Sequence, residues 1–192
     1  LDVGSNSIKL AQIAKTSGGE FQLERIATGP TPQMAVKDGA VVDARGLGDA
    51  IRQLYAAQNL TVQKVDGVVA GQSVVIRPIS MTSMTPKELK NAIKFEAERY
   101  LPYSVADAQI DGIPLRSNVD GDDKQMEVLL VAAPREMLRN AQEVIKQSGI
   151  TPNSIDLEPM SLVRALKVNT DPQTFEQTIA LINLGANSSS IN

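Results

Sequence analysis

The chain has 192 residues, 42% of them hydrophobic, with a formal net charge of −3 and a pI near 5.1. That length can bury a sizeable core in one or two domains, and the mixed charge with an acidic pI argues against a nucleic-acid surface. With no histidine and no cysteine, the commonest zinc sites and every Ser-His or Cys-His nucleophile pair are excluded, and a reducing compartment is favoured.

Alternation of apolar and polar residues predicts strands over 8–14 and 21–28, with Gly18-Gly19 as the turn between them. Gly29-Pro30-Thr31-Pro32 reads as a loop. Residues 46–58 read as a helix with Leu47, Ala50, Ile51, Leu54 and Tyr55 on one stripe. Apolar runs predict strands at 65–70 and 74–79. Thr85-Pro86-Lys87-Glu88 is a helix start: Thr as N-cap, Pro at the first position, Glu three residues after the cap. This helix runs to about Tyr100, before Pro102, and buries Leu89, Ala92, Ile93, Ala97 and Tyr100.

Strands follow at 108–115 and 125–133, then a helix over 134–147 stopped by Gly149. A short strand at 155–158, a helix at 159–166, a polar loop at 170–177 and a strand at 178–184 complete the chain. Strand–helix–strand alternation implies an α/β fold, with a mixed sheet and helices on its faces. The expected organisation is a first subdomain over 1–80, an inserted small α/β subdomain over 81–135, a return to the first over 136–180, and a new hairpin from 181–192. No apolar run reaches the roughly 18 residues of a membrane span, and no secretory signal is visible.

The two ends nearly repeat each other. Leu1-Asp2-Val3-Gly4-Ser5-Asn6-Ser7 and Ile182-Asn183-Leu184-Gly185-Ala186-Asn187-Ser188 each read apolar, Asp or Asn, apolar, Gly, small, Asn, Ser. Such a composition is an ordinary β-turn. Its successive backbone N–H groups also make a concave anion site, and an Asp two residues before the Gly can hold a hydrated Mg²⁺. Two such turns facing each other would grip a polyphosphate from both sides.

These turns resemble the phosphate-1 and phosphate-2 hairpins of the actin/Hsp70/sugar-kinase ATPase superfamily. Within it, the chain resembles the PilM family of type IV pilus assembly. The most specific stretch is Phe95-Glu96-Ala97-Glu98-Arg99-Tyr100-Leu101-Pro102-Tyr103, with Val75-Ile76-Arg77-Pro78-Ile79, Val128-Leu129-Leu130-Val131-Ala132-Ala133 and Ile155-Asp156-Leu157-Glu158-Pro159 beside it. The resemblance implies an actin-like (RNase-H-like) first half with the inserted subdomain, truncated at the start of the second half. It implies ATP or ADP with Mg²⁺, bound weakly or not at all by this segment alone. Asp2, Gly4, Ser5, Asn6, Ser7 and Lys9 would line the phosphates on one side, and Asn183, Gly185, Ala186, Asn187 and Ser188 on the other. Asp2 would hold Mg²⁺ through water.

Asn183 stands where the superfamily usually has Asp, so the resemblance implies a nucleotide-dependent scaffold with little or no ATPase activity. It also implies a partner: the short cytoplasmic N-terminal peptide of a PilN-like membrane protein, in a groove between the first subdomain and the small one. Arg77, Phe95, Tyr100 and Tyr103 are the candidate contacts, aromatic and Arg side chains being the usual interface anchors. Self-association would be possible, and the membrane would be reached only through the partner, at the inner face, in the cytoplasm. An FtsA-like filament protein of cell division and an active ATPase or kinase of the same superfamily are the competing readings. Lys9 reads more readily as a solvated strand lysine. The resemblance implies that a carboxylate near Asp156 and Glu158 helps hold the metal or its attacking water, but both read at least as well as helix-cap or loop carboxylates before Pro159; Tyr100 and Tyr103 read equally as packing residues. The acidic stretch Asp120-Gly121-Asp122-Asp123 has the composition of a Ca²⁺ loop but lacks the glutamate at the twelfth position, and reads as solvated loop.

Overall fold

The computed structural model describes residues 1–119 and 122–192, with side chains for all of these except 118, 119, 122 and 123. The acidic stretch at 120–123 therefore lies largely outside the described residues. The chain divides into two compact units, Leu1–Gly71 with Arg139–Asn192, and Gln72–Leu138.

The first unit is built on β1 (Asp2–Val3), β2 (Ser7–Lys15), β3 (Phe21–Pro30), the small hairpin β4 (Val36–Lys37) and β5 (Ala40–Val41), α1 (Ala44–Ala57) and β6 (Lys64–Val69). One five-stranded sheet takes the order β10-β6-β1-β2-β3, with β10 at Thr151–Leu157. β1, β2 and β3 run antiparallel, whereas β1, β6 and β10 run parallel. The alternation in β2 explains its placement. Ile8 and Leu10 point into the core at 1% and 5% exposure, so Lys9 between them must lie on the other face. Leu47, Ile51 and Leu54 of α1 and Val144 and Ile145 join Ile8 and Leu10 in one cluster.

Helix α1 starts at an Asp43 N-cap, whose side chain accepts from the Gly46 amide at 2.9 Å. Its Gly48 allows a close crossing. A Cβ there would sit 2.5 Å from Cβ of Gln147, at the end of the helix over Arg135–Gln147. Residues sharing register with Asp2 (Lys9, Val68 and, through Val68, Asp156) lie on the face opposite the core cluster. A helix over Glu158–Asn169 contacts β10 and β6. A final hairpin pairs Ile182–Leu184 with Ser189–Ile191.

The second unit contains β7 (Val75–Thr82), α2 (Pro86–Ala97), β8 (Ala108–Val119) and β9 (Asp122–Pro134), in a three-stranded antiparallel sheet of order β7-β9-β8. In chain order α3 is then Arg135–Gln147, α4 is Glu158–Asn169, and the last two strands are β11 and β12. The start of α2 carries the expected capping box, Thr85 accepting from the Glu88 amide while the Glu88 carboxylate accepts from the Thr85 amide. Leu89, Ile93 and Ala97 on α2 pack on Ile79, Met81, Met126, Val128 and Leu130.

The observed division differs from the expected one at 81–135. β7 is hydrogen-bonded to β9 from Val75↔Ala132 to Thr82↔Gln125, which places it in the second unit and moves the junctions to 71/72 and 138/139. An apolar run does not reveal which sheet will accept it, because its partner is some fifty residues away. The expected loop at Gly29-Pro30 is the end of β3, where Pro30 pairs with Ser7. Proline is tolerated there because β3 is an edge strand. The strand expected over 178–184 shortens to Ile182–Leu184, and the polar loop at 170–177 holds a 3₁₀ turn at Pro172–Glu176.

Candidate functional site

The two glycine turns close their hairpins in the same register. In the first, Asp2 pairs with Lys9 and Val3 with Ile8, and the Gly4 amide donates to the Ser7 carbonyl at 3.0 Å. In the second, Asn183 pairs with Ser190 and Leu184 with Ser189, and the Gly185 amide donates to the Ser188 carbonyl at 2.9 Å. Glycine suits both turns, the second more strictly: a Cβ would approach the Ser7 carbonyl oxygen to 3.1 Å at Gly4, a tight contact, and the Ser188 carbonyl oxygen to 2.7 Å at Gly185, a clash. Ser5 and Asn6 form the first turn and Ala186 and Asn187 the second, while Ser7 opens β2 and Ser188 directly precedes β12.

The first turn is braced from the side. The Thr31 amide donates to the Asn6 carbonyl at 3.1 Å, and the Thr31 hydroxyl donates to the Gly4 carbonyl at 2.7 Å. The sequence gives no sign of this contact, because Thr31 looks like any loop residue between two prolines.

The polar residues preceding the glycines meet different partners. Lys9 Nζ donates to Asp2 Oδ2 at 3.0 Å, with both side chains about half exposed. The Asn183 amide donates to Glu158 Oε1, at the first residue of α4. Burial, then the negative charge of Asp2, raise the Glu158 carboxyl above its ordinary value, against the Asn183 hydrogen bond and the positive charge of Lys9. Asp2, Lys9, Glu158 and Asn183 therefore form one electrostatic neighbourhood that joins both hairpins. Ser190, beside Asn183 in the hairpin register, has a buried hydroxyl without a hydrogen-bond partner.

Asp156 serves a different purpose. Burial works against its ionised form, but hydrogen bonds from Arg164, Ser161 and the Leu157 amide outweigh burial and hold its carboxyl below the usual value. It ties the end of β10 to α4. Of these two carboxylates, Glu158 is the one bonded to the second hairpin.

The two glycine turns and Lys9 are the groups here that would hold a polyphosphate. They fit a protein-built metal cage poorly: among the described residues no group of three or more His, Cys, Asp or Glu converges. Asp2 is the carboxylate that would meet, through water, an ion carried on phosphates.

All four candidate partner contacts belong to the second unit. The Arg77 guanidinium lies 4.6 Å from the Tyr100 ring centroid, a cation–π stack, and Tyr100 packs on the core of that unit. The Tyr103 hydroxyl donates to the Ser73 carbonyl at 2.8 Å. Phe95 is 78% exposed. Phe95 and Tyr103 line an open concavity of about 660 Å³ together with Lys94, Glu98, Leu101 and Pro102. Arg77 and Tyr100 do not line it, so the four form two pairs. Glu96 is tied to Arg99 at 3.4 Å.

Among the described residues no helix is long and apolar enough to cross a membrane. In comparisons with known proteins, the family described as type IV pilus assembly protein PilM matches residues 1–192. A solved structure titled PilM-PilN type IV pilus biogenesis complex superposes with a TM-score of 0.86 at 26% identity, over 99% of this chain and 55% of that one. This chain thus spans about half the length of that relative and has its actin-like fold. The cytoplasmic domain of EpsL, an inner membrane component of the type II secretion system of Vibrio cholerae, superposes with a TM-score of only 0.49 at 15% identity, over 82% of this chain and 54% of that one. The match along the whole length places this chain in the PilM family of type IV pilus assembly proteins.

Proposed function

We propose that this chain is the first half of an actin-like nucleotide-binding scaffold in the type IV pilus assembly platform. Asp2, Gly4, Ser5, Asn6, Ser7 and Lys9 line the phosphates of ATP or ADP from one side, and Asn183, Gly185, Ala186, Asn187 and Ser188 from the other. The nucleotide sets conformation rather than being turned over. The observation that carries this reading is the shared register of the two glycine turns, with Asp2 and Asn183 at equivalent positions. Calorimetry tests it. A form extended by a second half should bind ATP, and the 192-residue chain weakly or not at all. Equally tight binding by both would defeat the two-sided cleft.

The second unit docks the cytoplasmic N-terminal peptide of a PilN-like inner-membrane protein, and the scaffold reaches the membrane only through it. Support comes from family membership and from the relative's title, which names a PilM-PilN complex. Phe95 is the anchor this reading favours, being the exposed aromatic among the four candidates and lining the concavity. In fluorescence polarisation with an apolar N-terminal peptide, Phe95→Ala should lose binding and Asp2→Ala should keep it. Retention by Phe95→Ala would remove the concavity as the docking site. The features of this chain need no FtsA-like filament to account for them, and Asn183 in place of an acid argues against an active kinase.

A further inference from the structure

The second hairpin repeats the first with both charges removed. Asn183 occupies the register position of Asp2, and Ser190 that of Lys9. The two carboxylates in the neighbourhood are each satisfied by the chain itself: Asp2 by the Lys9 ammonium at 3.0 Å, Glu158 by the Asn183 amide. A carboxylate at 183 would reverse this. It would set an acceptor against an acceptor at hydrogen-bonding range, and two like charges so placed require a proton or a cation between them. Asp2, Glu158 and Lys9 together carry one net negative charge, and an Asp at 183 would double it. The amide instead supplies a donor, so docking of the hairpin on α4 needs nothing added.

We propose that the second hairpin is latched to α4, and so held on the unit that carries the first, without a divalent cation: the Asn183 amide takes at Glu158 the place a cation would take, while the Lys9 ammonium serves Asp2 within the first hairpin. Asn183 is in this role a positioning residue. It decides that Mg²⁺, if it arrives with phosphates, is not needed to assemble the turn pair. The proposal requires no bound nucleotide and goes beyond the nucleotide reading, so each can fail without the other.

The test uses the absence of native cysteine. Spin labels at Gln22→Cys, on the far part of β3, and Ser189→Cys, on the exposed side of β12, report the distance from the first sheet to the second hairpin. No nucleotide is present. The wild type should give one narrow distance distribution, the same in EDTA and in millimolar Mg²⁺. Asn183→Asp should give a broad distribution in EDTA that Mg²⁺ narrows. Asn183→Ala, which removes the donor and adds no charge, should be broad in both buffers. It decides the question even where Asn183→Asp fails to fold. A wild-type distribution that narrows only with Mg²⁺, or an Asn183→Ala distribution as narrow as the wild type, would overturn the latch.

Discussion

The same turn closes both hairpins, yet the two are embedded in opposite ways. The first stands in the middle of a five-stranded sheet, on a nine-residue strand whose Ile8 and Leu10 are buried, and Thr31 braces its tip. The second is a two-stranded sheet of three-residue strands, and its Ile182, Leu184 and Ile191 are 62%, 79% and 74% exposed. The Asn183–Glu158 hydrogen bond is its one side-chain tie among the described bonds of the hairpin. The lesson is that short-range chemistry writes a turn, whereas rigidity comes from what the flanking strands bury.

The comparison breaks most sharply on apolar truncation. Ile8→Ala should cost about 2–5 kcal/mol, because it empties a site at 1% exposure. Ile191→Ala, at 74% exposure, should stay within about 0.5 kcal/mol of wild type. Urea unfolding of the two variants measures this directly, and similar losses would erase the distinction between the arms.

A smaller effect isolates the brace. Thr31→Val removes the hydroxyl that donates to the Gly4 carbonyl at 2.7 Å and should cost about 1 kcal/mol. Hydrogen exchange should speed up in the first turn and not in the second. Glycine replacement sharpens the same contrast. The clash is closer at Gly185 than at Gly4, 2.7 Å against 3.1 Å, yet Gly185→Ala should lower global stability less, because the second arm can move away. Thermal melts of both variants would show the order.

The smallest effect separates the two carboxylates at the start of α4, Asp156 and Glu158. Glu158 has its carboxyl raised, by burial first and then by Asp2, so the folded chain binds that proton more readily than the unfolded one. Its ionised form costs stability above the folded pKa, and the cost vanishes below the unfolded value of about 4.3. Glu158→Gln should therefore stabilise slightly at neutral pH, by under about 1 kcal/mol given its partial exposure, and gain nothing near pH 4. Asp156 behaves oppositely. Its lowered carboxyl contributes stability at neutral pH that is lost as pH falls through the folded value. Asp156→Asn should thus weaken the fold at neutral pH and converge on wild type in strong acid, as pH-dependent denaturant midpoints would record.

Much of the local structure was legible in the sequence because it depends on near neighbours. The Thr85–Glu88 capping box, the β2 alternation and both glycine turns needed no distant partner. The missed features all need one. β7 reads as an apolar strand, but only its pairing with β9 assigns it to the second unit. Glu158 was one of two equivalent carboxylates until Arg164 and Ser161 claimed Asp156 and Asn183 claimed Glu158. Tyr100 reads in the sequence both as a packing residue and as an interface aromatic; the Arg77 stack and the core it packs on select the first, which leaves Phe95 as the exposed aromatic.

Whether the two turns form one anion site is tested most directly by backbone amide NMR of the 192-residue chain titrated with inorganic tripolyphosphate, which needs no adenosine pocket. The amides of Ser5, Asn6 and Ser7 and those of Ala186, Asn187 and Ser188 should shift together along one binding curve, however weak. Movement in one turn alone, or two separate curves, would contradict a shared site.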